Sequence, residues 1–172
     1  MKTVIAAIFI VIICSVFTGF GQKGVTSFYG EDSWVRPGVL PEAVLYLLKN
    51  DPEVRKCNSG HGRPENEVFS ADWFEATKIS LKRGMRSVLL VKSPNVCPSG
   101  NAVSFWAFEK EGGKYKTVFY TYTLSLDIQK KTTNGRYNIA TCRCTASACM
   151  NRIFAFNGRR YIQKREWWTP QS

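Results

Sequence analysis

The sequence predicts an α+β protein, mostly β: an antiparallel sheet of hairpins with a short N-terminal helix packed on it. Three observations lead there. Residues 118–128 alternate strictly, with Val118, Tyr120, Tyr122, Leu124, Leu126 and Ile128 on one side and Phe119, Thr121, Thr123, Ser125 and Asp127 on the other. That is the period of a strand with one buried face, the Val118 set being expected inside and the Phe119 set largely wet. The run exceeds the common strand length, so a bend or bulge near Thr121–Thr123, or two strands sharing one pattern, is expected. Apolar segments on either side are separated by Gly112-Gly113, Asn134-Gly135 and Asn157-Gly158, which is hairpin punctuation. Helical spacing is clear early in the chain, in residues 41–49.

Taken in order, residues 1–21 have the layout of a secretory signal peptide. Lys2 precedes an apolar run from Val4 to Phe17, and Gly19 and Gly21 stand at −3 and −1 for cleavage before Gln22. The run is short for a bilayer span, and an uncleaved N-terminal anchor is the alternative. Cleavage would leave 151 of the 172 residues, enough for one core, with no later run apolar enough to cross a membrane. Residues 22–39 read as a linker or loosely docked arm, residues 40–168 as a single α+β domain, and residues 169–172 as a tail. In the helix, Pro41 and Glu42 suit the N-terminal end and Lys49 the C-terminal end, while Val44, Leu47 and Leu48 share a face with Leu45 beside them. Asn50-Asp51-Pro52 ends it. Residues 57–67 are rich in turn formers and form a surface loop that holds His61. Strands follow from Trp73 to Leu81 and Arg86 to Lys92, joined by Lys82-Arg83-Gly84. Further strands run over Val103–Phe108, over Arg136–Cys144, over Ile153–Phe156 and from Arg160 to Trp167. An echo links Trp106-Ala107-Phe108 with Tyr115 to Phe154-Ala155-Phe156 with Tyr161, each an aromatic-Ala-Phe strand closing a hairpin on a tyrosine.

The charge is strongly basic and uneven. Without Lys2 the chain carries 23 Lys and Arg against 13 Asp and Glu. Residues 22–111 hold 12 bases and 11 acids, whereas residues 112–172 hold 11 bases and 2 acids. Such asymmetry points to an anionic partner, such as an acidic polysaccharide, a membrane surface or, less expected, nucleic acid. Arg159, Arg160, Lys164 and Arg165 cluster around one hairpin with Tyr161, Trp167 and Trp168 interleaved, a composition suited to polyanions and interfaces. In simple alternation Arg159 and Arg165 share one face, and Arg160 and Lys164 the other. Bases on both faces suit an edge strand, where they also block edge-to-edge pairing.

Beyond the leader, the cysteines are Cys57, Cys97, Cys142, Cys144 and Cys149. In an exported chain disulfides are expected, and the odd count leaves at least one cysteine without a partner in the chain. Cys142 and Cys144 sit at i, i+2 on a strand and poorly suit bonding to each other. Cys149 lies across a short loop from Cys144 and could close it, and Cys57 and Cys97 could staple the helical segment to the sheet; the spacing does not fix the connectivity or the unpaired cysteine. A metal site of Cys142, Cys144 and Cys149 with His61 is the alternative, but the spacing does not match paired zinc knuckles, so no metal and no cofactor is expected. Nucleophilic catalysis would rest on His61 with Cys57 or a serine. Carboxylate pairs such as Asp72 with Glu75, or Glu65 with Glu67, read as ordinary solvated charges, and no Gly-rich phosphate loop follows a strand.

From Trp73 to Ile139 the chain resembles uncharacterised exported bacterial proteins. The shared parts are Trp73-Phe74, the Cys97 loop, Gly100-Asn101 (adjacent here rather than spaced), the Phe105-Trp106-Ala107-Phe108 strand, and the Asn134-Gly135 turn with Ile139. The turn at Lys82-Arg83-Gly84 distantly resembles the acidic calcium turns of FG-GAP-like repeats. With bases in place of acids it should not bind calcium. The resemblance implies an exported β-rich module and carries no activity. The reading favoured from sequence is an exported, periplasmic or secreted, non-enzymatic binding module that contacts an anionic polymer or acidic partner through its basic C-terminal part. The alternatives are a small envelope hydrolase using His61, and an inhibitor or immunity-type protein plugging a partner with the 57–67 loop.

Overall fold

The computed structural model of the chain describes residues 26–34, 38–55, 69–82, 87–93 and 102–171. The elements are β1 (Thr26–Tyr29), α1 (Glu42–Lys49), β2 (Glu75–Ile79), β3 (Val88–Ser93), β4 (Val103–Glu111), β5 (Lys114–Thr123), β6 (Ser125–Thr133), β7 (Arg136–Cys144), β8 (Ala148–Phe156) and β9 (Tyr161–Pro170). The α+β, mostly β class holds, and the antiparallel hairpins divide between two sheets. One has the order β2-β3-β4-β5 and the other β1-β6-β7-β8-β9.

The division falls inside the long alternating stretch, which is two strands sharing one pattern. β5 belongs to the first sheet and β6 to the second, with Leu124 between them. Leu124 is already bound to the second sheet: its N–H donates to Cys142 O and its carbonyl accepts from Gly30 N–H. The expected wet face needs correction over β5. Phe119, Thr121 and Thr123 are all buried, because the sheet of β2–β5 is covered on both faces. On one side, Leu90, Phe105, Ala107, Val118 and Phe119 meet Leu126, Ile128, Ile139 and Phe154 from the other sheet. On the opposite side, Leu89, Val91, Trp106 and Phe108 receive Val44, Leu48 and Val54. The result is three layers: helix, four-stranded sheet, five-stranded sheet. The pairing skips a residue between Ala107 and Phe108, so Val118 is extra on β5. Val118 and Phe119 therefore both reach the core between the sheets.

The helix forms as its sequence dictates. Pro41 stands at the N-cap and its carbonyl accepts from Val44 and Leu45 N–H. Val44 and Leu48, one turn apart, are fully buried, each burial stabilising by about 1.5–3 kcal/mol relative to exposure. Asp51 then starts a further helical turn: its Oδ1 accepts from Glu53 and Val54 N–H, and its Oδ2 accepts from Trp106 Nε1 at 3.2 Å. Trp73 lies in a 3-10 turn, Ala71–Trp73, rather than in a strand.

Part of the expected arm is built into the second sheet. Thr26–Tyr29 pairs with β6 as its edge strand, with Phe28 opposite Leu126. Phe28 stacks edge-on against Trp34, and Gly38 N–H donates to Ala76 O. Among the described residues no helix is long and apolar enough to cross a membrane.

Candidate anion-binding interface

Three hairpin turns come together at one end of the two sheets. Gly112 and Gly113 join β4 to β5 with positive φ. Asn134 (φ 49°) and Gly135 (φ 73°) join β6 to β7, the left-handed pair that a two-residue hairpin loop demands. Residues 157–160 join β8 to β9. There the Asn157 side chain accepts from both Arg159 and Arg160 N–H at 2.9 Å, and Asn157 N–H donates to Arg160 O. The turns are tied to one another. Asn134 Nδ2 donates to Phe156 O at 2.8 Å. Arg136 pairs with Glu109 at 3.0 Å and its guanidinium lies 3.8 Å from the Phe156 ring centroid. Tyr161 Oη donates to Tyr137 O at 2.9 Å, and Tyr137 N–H donates to Leu81 O. Burial pushes the Tyr161 phenol well above its ordinary range, with Arg136 acting the other way.

This end gathers bases. Lys114 and Lys116 open β5, Lys130 and Lys131 sit where β6 bulges opposite β7 between Ile128 and Thr132, and Arg159 and Arg160 complete the third turn. Lys82 passes beside Gly135. Few acids answer them. Glu109 is held by Arg136, and Glu111 pairs with Lys116, whose hydrogen bond and charge hold the Glu111 carboxyl below its ordinary range. Among the described residues no carboxylate pairs with Lys114, Lys130, Lys131, Arg159, Arg160 or Lys164. Arg160 also borders an open depression of about 430 Å³ between the edges of the two sheets, with Thr117, Tyr120, Ile162 and Gln163 among its walls.

The sequence grouped Arg159, Arg160, Lys164 and Arg165 on one hairpin, and the structure separates them. Arg159 and Arg160 lie in the turn, before β9 begins. β9 is an edge strand, as bases on both faces suggested. The expected alternation fails because the pairing skips a residue between Ile153 and Phe154, leaving Lys164 as the extra residue on β9. Arg165 then stands opposite Ile153 and stacks on Trp167, 4.9 Å from its centroid. Two bases elsewhere are spent internally: Arg152 pairs with Glu166 across the β8–β9 ladder, and Arg143 lies over the Tyr122 ring.

Two clusters escaped the sequence reading in whole or in part. Glu75 is not a solvated charge. Its carboxylate accepts from Trp34 N–H at 2.8 Å and lies 3.5 Å from Lys92 Nζ. Lys92 itself is 1% exposed, donates to Gly30 and Asp32 carbonyls, and faces the Trp34 ring at 5.2 Å. The only sequence signal was a lysine closing an apolar strand. At the opposite end from the turns, Cys144 and Cys149 face each other across β7 and β8 and form a disulfide. Cys142 is a free thiol whose Sγ lies 3.6 Å from Cys144 Sγ; burial, and secondarily Asp127, push it up from the ordinary thiol range.

Cys57, Cys97 and His61 lie outside the described residues, as do residues 1–21, expected to be a leader, and residues 57–67, expected to be a loop, and with them the hydrolase and plugging-loop alternatives. No protein-family model matches the chain, and no curated protein or solved structure gives a significant match.

Proposed function

We propose that the chain is an exported, non-enzymatic binding module that holds an anionic polymer on the end formed by its three hairpin turns. The observation that carries this reading is the set of exposed turn bases, Arg159 and Arg160 foremost, left without carboxylates among the described residues while neighbouring Arg136 and Lys116 are neutralised locally. Short, mutually bonded turns leave the backbone little to order on binding, so the cost falls on the side chains. The depression beside Arg160 is open rather than enclosed, which suits a chain lying along the surface better than a small molecule. Lys164, about 10 Å along β9 from Tyr161 at ordinary strand rise, and Arg165 beyond it would extend the contact. Export rests on the leader-like first 21 residues, and a disulfide between Cys144 and Cys149 suits an oxidising compartment.

The test is retention on an immobilised sulfated polymer over a salt series, wild type against R159E/R160E. Both residues are exposed, and such surface changes shift stability by about 0.5 kcal/mol or less, so the variant should fold. Elution of the variant at clearly lower salt is expected. Coincident elution would remove the third turn from the reading.

A further inference from the structure

We propose that Cys142, Cys144 and Cys149 form, once the Cys144–Cys149 disulfide is reduced, a three-thiolate site for a thiophilic metal ion, fitting copper(I). The ladder builds the site. Cys142 and Cys144 stand at i, i+2 on β7 and so project from the same face, and Cys149 is the register partner of Cys144 on β8. All three sulfurs lie within 4.8 Å of one another and are half-buried, within reach of solvent. In a trigonal three-thiolate site with metal–sulfur bonds of about 2.3 Å, neighbouring sulfurs stand about 4.0 Å apart; Cys142 and Cys144 are already 3.6 Å apart, and Cys144 and Cys149, bonded to each other here, separate on reduction.

In this arrangement the triangle is not lined up for attack by Cys142 on Cys144. Attack by Cys142 on Cys144 would run along the bond to Cys149. With an ordinary S–S bond of about 2.05 Å, a collinear approach would put Cys142 about 5.6 Å from Cys149, whereas the three sulfurs are gathered within 4.8 Å. Once the Cys144–Cys149 bond is broken, the same three sulfurs are placed to converge on one ion. Their chemistry selects the ion: among the described residues the ligating cluster is three cysteines with no histidine or carboxylate. Thiolates favour copper(I) and zinc, but structural zinc takes four ligands.

Opening the site takes one equivalent of an external dithiol. The dithiol is oxidised to its own disulfide, the Cys144–Cys149 bond breaks, and each sulfur gains a proton. Copper(I) binding then releases the three thiol protons to water. The disulfide is thus the closed state of the site and the dithiol-reduced form the open one.

The experiment titrates the full chain anaerobically with copper(I) against a chromophoric copper(I) chelator, comparing reduced wild type, oxidised wild type and reduced C142S. Alkylation with iodoacetamide and peptide mass mapping then report which cysteines the metal protects. Reduced wild type should take one copper(I) per chain and protect Cys142, Cys144 and Cys149. C142S should bind at least about tenfold more weakly, since losing even an outer-shell partner of a metal typically costs that much. Wild-type affinity in C142S, equal affinity in the oxidised chain, or protection spread equally over Cys57 and Cys97 would each overturn the site. So would loss of the β-sheet circular dichroism on reduction without recovery on adding copper(I). Zinc bound as tightly through the same three cysteines would overturn the copper assignment. The trio sits at the β7–β8 end, away from the turn bases, so this outcome is independent of polymer retention.

Discussion

A lysine at the end of an apolar strand sets the residue-scale chemistry of the core. Lys92 is buried where water does not reach, and Glu75 with the Gly30 and Asp32 carbonyls takes the place of water around its Nζ. Removing one partner leaves the ammonium short of a counter-charge. Glu75→Ala should cost about 2 kcal/mol, less than the 3–5 of a fully buried pair because the Glu75 side chain is 22% exposed; urea unfolding reads it, and a change below about 0.5 kcal/mol would contradict the role given to the pair. Thr121 poses the opposite case. Its Oγ1 is buried without a hydrogen-bond partner among the described residues, while Thr123, two residues on, donates to Cys142 O. Thr121→Val keeps the shape and removes the orphaned hydroxyl, and should raise stability by about 1 kcal/mol, whereas Thr123→Val should lower it. Tyr161 supplies a pH dependence. Its folded-state pKa is raised by burial, while the unfolded chain titrates near the ordinary value of about 10. The folded state therefore holds this proton more tightly, and the contribution is complete below pH ~10 and lost as pH rises above it. Tyr161→Phe should flatten the alkaline decline of the urea midpoint; an unchanged decline would assign it to other groups.

At the scale of elements, local signals were legible and long-range ones were not. β7 has the bounds that its alternation predicted, Arg136–Cys144, and α1 lies where its spacing placed it. The Asn134-Gly135 turn also followed from its residues, and the Cys144–Cys149 closure is one of the pairings that spacing left open. What alternation cannot report is what covers each face. Phe119, Thr121 and Thr123 look like a wet face only if one side of β5 is bare, and here a sheet covers one side and a helix the other. Nor can it see a partner far along the chain: β1 is a strand because β6 offers an edge, and its own four residues are too few to show a period. The bulge at Lys164 depends on β8, so the facing of Arg165 could not be read from β9 alone. The basic site was legible as composition, but its location at the turn end depends on contacts such as Asn134 to Phe156 and Arg136 to Glu109.

The whole molecule has two chemically distinct ends joined by a well-packed middle. Bases crowd the end where β4–β5, β6–β7 and β8–β9 turn, and sulfur occupies the end where β7 turns into β8. Charge confined to one end should act as a site, while the same charge spread over the surface would act only through its sum, since exposed charges farther apart than about 8 Å are largely screened at physiological salt. The most direct measurement compares binding of a sulfated polymer by R160E and K49E across salt. The two variants change net charge equally, but Arg160 stands at the turn end and Lys49 is exposed at the end of the helix. R160E should weaken binding and reduce the steepness of its salt dependence, with K49E close to wild type. Equal weakening by the two would show that only total charge matters and would contradict the assignment of the turn end.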